Sequence, residues 1–394
     1  MTLNGANTTL AYVSRYDYLR EDIIAWDVNN VHGKGANYYG LQASADAAVD
    51  SKSTIGYNIE GAEFAPDGST VYIGFRAPQV PLPARAMALV IPVTNLTSIL
   101  AVNGGVQGSA TFGAPIELDL GGRGIREIRK NAANQYLIIA GPAGSDTGTP
   151  PNNFRLYTWT GMPTDAPMLR HDNLSTLAVN GSFESIVEMP ATLADNSQIQ
   201  VLIDNGDAVY YNDGTIAKEL SQNNVKKFRS DIATLGAPVK ADLTPTLILP
   251  QANFADSGPD ATRNFIINLN EVGGLPTPGG SIVITITAPV GYIVSYANSL
   301  TTIDVSGSVE NPTAVDNTKW AVTDNLADRQ LTLTINQGQT IAANGKTTLG
   351  FTITRTTASP GSVSSITINV KDDASQTYDG NSANNVYARI INGL

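Results

Sequence analysis

The chain has 394 residues, which is room for two or three domains, because a single hydrophobic core rarely grows beyond about 250 to 300 residues. Its 24 Lys and Arg residues against 35 Asp and Glu residues give a formal net charge of −11, spread along the sequence, which makes nucleic acid an unfavourable partner. The absence of cysteine excludes disulfides, thiol catalysis and Cys-based metal sites.

The apolar residues are dispersed along the chain. No run of about 18 apolar residues occurs, so the sequence predicts no transmembrane segment. The first ten residues, MTLNGANTTL, have neither the basic start nor the apolar core of a signal peptide. If the protein is exported, we expect its signal to be missing from this chain.

Strand patterns dominate the sequence. Apolar and polar residues alternate in runs such as SIVITITA, QLTLTINQ and SSITINVK, and helical periodicity is nearly absent. The 36 Gly and 21 Pro residues separate these short runs, as turn residues do. The pattern predicts an all-β protein built as a propeller, a barrel or a sandwich.

The first part of the chain contains a diverged repeat of about 60 residues. Three segments each show a strand, a polar turn and a second strand: IEGAEFAPDGSTVYIGFR, IREIRKNAANQYLIIAGP and FESIVEMPATLADNSQIQVLIDNG. Each continues into a third predicted strand, respectively MALVIPV, FRLYTW and AVYYN. The N-terminal TTLAYVSRY and DIIAWDVN are interpreted as strands of a further repeat that lacks its first strand. Residues 1–238 are therefore predicted to form a small or partial β-propeller.

Charged residues lie near the start of the first strand of each repeat. Alignment of the apolar residues places Glu60, Arg126 and Glu184 at one position, with Glu127 beside it and Arg123 nearby. Because the first strand of a propeller blade lines the central channel, we expect these charges to converge on the axis. Two interpretations stay open, a structural ring of salt bridges and a site for a cation or other ligand.

Four motifs in this part, IEGAEFAPDG, RGIREIRKNAANQYLIIAGPAG, FRLYTWTG and FESIVEMP, resemble secreted bacterial propellers of the phytase-like family, also called "esterase-like activity of phytase". The resemblance covers about residues 55–210. It implies a phosphoester-hydrolysing activity in which carboxylates hold Ca²⁺, an ion that binds about six to eight oxygen atoms. The carboxylates that would supply them are Glu60, Glu127, Glu184, Asp204 and Asp207.

The character of the sequence changes at LGAPVKADLTPT, residues 235–246, where prolines are typical of a linker. About seven or eight evenly spaced strands follow, with turns such as Asn344–Gly345, and they predict a β-sandwich. The motifs SGPDATRNFIINLNEVGG, GSIVITITAPVGYIVS and DGNSANNVYARI resemble the Ig-like conserved repeat of bacterial cell-surface proteins, over residues 244–394. This resemblance implies a module that holds other domains apart or binds a partner.

An acidic segment of the second part, DDASQTYDGNSANN, is a second candidate for Ca²⁺, with oxygens from Asp372, Asp373, Asp379 and Asn381. Turns rich in Asp and Asn also form without a metal, so this alternative stays open. The two histidines, His32 and His171, are interpreted as solvated loop residues rather than metal ligands. No G-x-S-x-G motif of a serine hydrolase occurs.

These patterns favour an extracellular or cell-surface protein of bacterial type that binds a partner or has a structural role. One alternative is a Ca²⁺-dependent phosphoesterase that acts in the propeller channel. The other is a subunit of a surface fibre or layer that assembles by strand exchange at open sheet edges. The expected partners are components of the cell surface or further copies of the chain.

Overall fold

The computed structural model of the protein describes residues 2–3, 10–11, 14–101, 108–177, 181–305, 312–374 and 377–394. These residues form two compact units, Met1–Pro238 and Val239–Leu394. Both units consist of β-strands with a few short helices, in agreement with the all-β prediction. No helix within the described ranges has the length and apolar character needed to cross a lipid bilayer.

The first unit begins with a two-stranded sheet and two helices: β1 (Thr2–Leu3), β2 (Leu10–Ala11), α1 (Leu19–Val28) and α2 (Leu41–Ser44). The prediction that DIIAWDVN is a strand is therefore wrong, and TTLAYVSRY lies partly outside the described residues. Ile23 and Trp26 are both buried, because their spacing of three residues places them on one face of α1. This face belongs to an apolar cluster that covers one side of the first β-sheet.

Three antiparallel meanders make up the rest of the first unit. The first contains β3 (Asn58–Phe64), β4 (Val71–Ala77), β5 (Ala88–Val93) and β6 (Ile116–Leu118). The second contains β7 (Gly124–Lys130), β8 (Tyr136–Gly141), β9 (Arg155–Trp159) and β10 (Met168–Asp172). The third contains β11 (Ser182–Glu188), β12 (Ser197–Asp204) and β13 (Arg229–Pro238). Two short helices connect strands, α3 (Leu96–Leu100) after β5 and α4 (Leu174–Leu177) after β10.

The first meander is a separate sheet, whereas β10 and β13 pair and join the other two meanders into one seven-stranded sheet. The end strands of this sheet, β7 and β11, lie next to each other, so that the sheet is nearly closed like a barrel. An apolar cluster that includes Leu137, Phe183 and Val201 fills its interior. A second cluster, which includes Val90 and Ile125, lies between the first meander and strands β7 to β9.

This strand order does not confirm a propeller, because the blades of a propeller are separate sheets around a ring. The outer face of the third meander is polar: Gln198 and Gln200 on β12 donate hydrogen bonds to hydroxyl groups of β13. A further blade would need an apolar face there. The third strand of this meander was also predicted wrongly, because AVYYN contributes only an isolated bridge at Val209 and β13 takes its place.

Two glycines allow the first meander to approach the second. Gly61 on β3 and Gly74 on β4 are cross-strand partners. A Cβ atom on Gly61 would lie 2.9 Å from Ile125 Cγ2, and one on Gly74 would lie 3.0 Å from the same atom. The side chain of Ile125 therefore occupies the space that any larger residue at these two positions would need.

The described residues of the second unit form twelve strands: β14 (Leu243–Ile248), β15 (Asn253–Phe254), β16 (Thr262–Glu271), β17 (Val283–Thr287), β18 (Tyr292–Ser295), β19 (Thr302–Ile303), β20 (Thr313–Ala314), β21 (Trp320–Leu326), β22 (Gln330–Ile335), β23 (Lys346–Arg355), β24 (Val363–Val370) and β25 (Val386–Gly393). They form a four-stranded sheet, β14-β16-β23-β18, a six-stranded sheet, β15-β25-β24-β17-β22-β21, and the pair β19-β20. The alternating residues of the two larger sheets, such as Ile267 and Ile284, share one apolar cluster, as in a β-sandwich.

Candidate functional site

The first strand of each meander carries a β-bulge at a corresponding place. In each case the pairing register with the second strand skips one residue, and that residue is Glu60 in β3, Arg126 in β7 and Glu184 in β11. A bulge leaves one residue unpaired and changes the direction of its side chain, and bulges are frequent next to functional sites. The repeat therefore contributes one charged side chain from each meander to the same region.

These side chains form a chain of ion pairs. Glu60 Oε2 lies 2.5 Å from Arg126 Nε, and Glu184 Oε1 accepts a hydrogen bond from Nη2 of the same guanidinium. Glu60 Oε1 accepts a second hydrogen bond, of 2.8 Å, from Arg76 on β4. Arg76 is itself displaced by a register shift between β3 and β4. We call these four residues, Arg76, Glu60, Arg126 and Glu184, the ion-pair chain.

Burial makes the pairing necessary. The side chains of Arg126 and Arg76 are 1% and 7% exposed, whereas those of Glu60 and Glu184 are 19% and 34% exposed. Two cations and two carboxylates balance each other, which offsets part of the cost of removing the guanidinium groups from water. Arg126 also lies 5.3 Å from the ring centre of Phe154, close enough for a cation–π interaction.

A cavity of about 790 Å³ opens against the ion-pair chain within the first unit. Arg76, Arg126 and Glu184 line it together with residues of the surrounding loops: Asp50, Lys52, Gly144, Ser145, Asp146, Gly148, Asn153, Phe154, Leu174, Ser175, Gly181, Ser182, Phe183, Asp204 and Asp207. Five of the lining side chains are carboxylates and three are cations. Apolar side chains are few, so the wall mainly offers hydrogen-bond donors and acceptors.

Three aspartates of the wall hold its loops. Asp50, Asp146 and Asp204 each accept, at Oδ1, the backbone N–H of the residue two positions further along the chain. Such turns fix the carboxylate in place. A carboxylate has about four acceptor positions, so each aspartate keeps acceptor capacity for a ligand.

The sequence analysis did not identify Arg76 or Lys52. Arg76 is the last residue of the apolar run VYIGFR in the sequence. A charged residue at the end of such a run is the sequence feature that could have identified it as a site residue. Its Nε atom has no hydrogen-bond partner among the described residues, although the side chain is buried at the cavity wall. Lys52 lies in a polar loop that reaches the wall only through tertiary packing.

Two residues assigned to the charge cluster lie elsewhere. Arg123 donates hydrogen bonds to the backbone oxygens of Leu120, Gly121 and Asn153, so it stabilises loops instead of joining Glu60. Glu127 does not line the cavity, and its nearest cation, Arg129 Nε, is 3.7 Å away. Burial raises the pKa of Glu127 to about 7, and the nearby Arg129 opposes this shift only in part.

Of the carboxylates proposed for Ca²⁺, Glu184, Asp204 and Asp207 line the cavity, whereas Glu60 and Glu127 do not. Glu184 is paired with Arg126, and Asp207 is paired with Lys218. Within the described part of the chain, no three His, Asp or Glu side chains are close enough to hold one metal ion. The set Glu60, Glu127, Glu184, Asp204 and Asp207 is therefore not brought together.

The acidic segment of the second unit lines a separate cavity of about 400 Å³ with Asp372, Asp373, Asp379 and Asn381. Residues 375–376 of this segment lie outside the described ranges. Protein groups already contact all four of these side chains. Asn385 Nδ2 donates to Asp372 at 3.3 Å and to Asp379 at 2.6 Å, Tyr378 N donates to Asp373, and Ala383 N donates to Asn381. The segment is thus an Asx-rich turn with its own hydrogen bonds.

His32 is not a solvated loop residue, because its side chain is completely buried. Its Nδ1 accepts the backbone N–H of Lys34, so the proton lies on Nε2, which contacts Asp27 Oδ1 at 3.2 Å. The same carboxylate accepts the backbone N–H groups of Tyr39 and Leu41. This network fixes the segment after α1. Both ring nitrogens of His32 are used in it, so neither is free for catalysis.

No protein-family model matches the sequence, and no curated protein matches it. Among solved structures, AvmM, described as catalysing macrocyclization in alchivemycin A biosynthesis, aligns at 10% identity over 40% of this chain and 93% of its own, with a TM-score of 0.22. The full-length major pilin SpaD from Corynebacterium diphtheriae aligns at 12% identity over 39% of this chain and 33% of its own, with a TM-score of 0.24. The major pilin subunit BcpA of Bacillus cereus aligns at 10% identity over 72% of this chain and 60% of its own, also with a TM-score of 0.24. At these TM-scores the alignments do not establish a shared fold.

Proposed function

We propose that this protein is a binding protein of the bacterial cell surface or extracellular space. In this proposal the first unit, a partial propeller, holds a small polar ligand in its cavity, and the second unit is an Ig-like structural module. The neighbouring first strands of the three meanders support the propeller interpretation, as do the sequence motifs. The surface location rests on the resemblances of both parts of the sequence.

The observation that carries the binding function is the cavity and its wall. A volume of about 790 Å³ lies within the ~300 to 1,000 Å³ of ordinary ligand sites. Two buried arginines on the wall are costly for a protein to retain, and buried charged groups are frequent at functional sites.

A screen of small polar compounds by thermal shift tests this function. At least one compound is expected to raise the melting temperature of the full chain, because a ligand that binds the folded state stabilises it. Ser145→Trp, which fills the cavity, should abolish the shift, whereas Ser69→Trp at an exposed turn should keep it. Equal shifts in both variants would place the ligand elsewhere and refute the proposal.

The phosphoesterase alternative has less support. Among the described residues, no histidine lines the cavity, and the carboxylates of the wall are dispersed or already paired. Catalysis through Ca²⁺ needs several carboxylate oxygens around one ion. A phosphoester that is hydrolysed only when Ca²⁺ is present would restore this alternative.

The fibre alternative requires an open strand edge. In the second unit β21 is an edge strand of the six-stranded sheet, and its exposed residues include Val322 and Leu326. A register shift lies between Val322 and Asp324, and a bulge with a charge protects an edge from strand addition. We therefore expect sedimentation at increasing concentration to show no assembly, and concentration-dependent growth would favour a fibre.

A further inference from the structure

We propose that the cavity of the first unit binds a neutral, hydroxyl-rich ligand, of the chemical class of saccharides and polyols. This inference rests on the proposed binding function and names its ligand class. It follows from the presence of both donors and acceptors on the same wall.

The charges of the wall disfavour an anion and do not form a site for a compact cation. The ion-pair chain balances itself and Asp207 is paired with Lys218, so these residues are neutralised. The unpaired side chains are three aspartates, Asp50, Asp146 and Asp204, against Lys52. Three carboxylates repel an anion, and within the described residues no three of these ligands are close enough to hold one metal ion.

A hydroxyl group can use both kinds of charge at once. Its O–H donates to a carboxylate, and its oxygen accepts from a guanidinium or an ammonium group. Asp50, Asp146 and Asp204 provide carboxylate acceptors, while Lys52 provides an ammonium donor. Hydrogen bonds between a charged and a neutral group are stronger than neutral ones, so several hydroxyls could bind without net charge.

The other side chains of the cavity wall can also bind a saccharide or polyol. Ser145, Ser175 and Ser182 add hydroxyls that both donate and accept. Phe154 and Phe183 lie behind the wall, 4% and 1% exposed, with their ring centres 5.2 Å apart in an edge-to-face arrangement. They support the wall, so the groups that face a ligand are mainly polar. The dispersed carboxylates that cannot chelate one metal ion can each meet a different hydroxyl.

The experiment compares three probe sets on the full chain by calorimetry and saturation-transfer NMR. The neutral set contains glucose, mannose, N-acetylglucosamine, cellobiose and the polyol sorbitol. The anionic probe is inositol hexakisphosphate, and the cationic probes are spermidine and Ca²⁺. We expect a neutral probe to bind, with an affinity that changes by less than about twofold when NaCl is raised from ~50 to ~500 mM, since salt screens charge–charge attraction only.

Variants locate the site. Asp204→Asn and Lys52→Met should each weaken binding by about tenfold, because each removes one charged partner of a hydroxyl. Glu21→Gln, an exposed carboxylate on α1, is the matched control and should bind like the wild type. Circular dichroism checks that each variant is folded. Unchanged binding in both Asp204→Asn and Lys52→Met would refute the inference.

The remaining outcomes separate this inference from the function on which it rests. If only a charged probe binds, with an affinity that falls as salt rises, the cavity is a ligand site but the ligand class is wrong. If no probe of any set binds at millimolar concentration, the inference is refuted. The wider thermal-shift screen with Ser145→Trp then decides whether the binding function also fails.

Discussion

The ion-pair chain predicts that Glu60→Gln destabilises the first unit. The substitution keeps the size of the side chain and removes one of the two carboxylates that face Arg126. The hydrogen bond from Arg76 changes from an ionic to a neutral one, a loss of about 1 kcal/mol. Removal of one partner of a buried ion pair costs about 3 to 5 kcal/mol. Because Glu184 still compensates Arg126, we assign about 2 kcal/mol to the loss of the ion pair between Glu60 and Arg126.

The sum is a loss of about 3 kcal/mol in the free energy of unfolding of a unit that spans Met1–Pro238. For units of this size 1 kcal/mol lowers the melting temperature by about 2 to 4 °C, so we expect a decrease of about 6 to 12 °C. Urea unfolding and calorimetry measure both quantities. The transition of the first unit is assigned by comparison with the isolated fragment 239–394.

Glu21→Gln on α1 is the control, because exposed substitutions usually change stability by less than about 0.5 kcal/mol. The double variant Glu60→Gln/Arg126→Met should lose less than the sum of the two single variants, because both remove the same interaction. If Glu60→Gln unfolds within about 0.5 kcal/mol of the wild type, the ion-pair chain does not stabilise the unit and the reasoning is refuted.

Glu127→Gln should raise the stability of the first unit above neutral pH. The folded pKa of Glu127, about 7, lies above its ordinary value of 4.5, so the wild type loses up to about 3 kcal/mol as pH rises through this interval, and the variant does not; parallel pH profiles of the two proteins would contradict this. Gly61→Ala should cost about 1 to 3 kcal/mol in denaturant unfolding, because its Cβ would lie 2.9 Å from Ile125 Cγ2; a neutral effect would show that the side chain of Ile125 can move. Residues 239–394 have their own apolar core and should fold alone with a cooperative thermal transition; an insoluble or molten fragment would disprove this.

Local patterns in the sequence determined the strand content and the repeat. Strand β12 reads SQIQVLID, and its alternation alone predicts that Ile199 and Val201 are buried and Gln200 is exposed, as the structure shows. The apolar alignment of the three repeats also placed Glu60, Arg126 and Glu184 at one position. Period-two patterns and short turns are local properties, so they are visible without the fold.

Tertiary structure decided what local patterns leave open. The segment DIIAWDVN is apolar enough for a strand, but Ile23 and Trp26 are buried on one face of a helix against the first sheet. Pairing of β10 with β13, which joins two meanders into a nearly closed sheet, involves residues far apart in sequence.

The cavity depends on the same long-range contacts, because Lys52, Arg76 and Asp204 belong to different loops and strands. Arg76 meets Glu60 only because register shifts between β3 and β4 displace both side chains. The sequence thus determined which charges each strand carries, whereas the packing of the meanders decided which charges meet, since such pairings depend on contacts between distant segments.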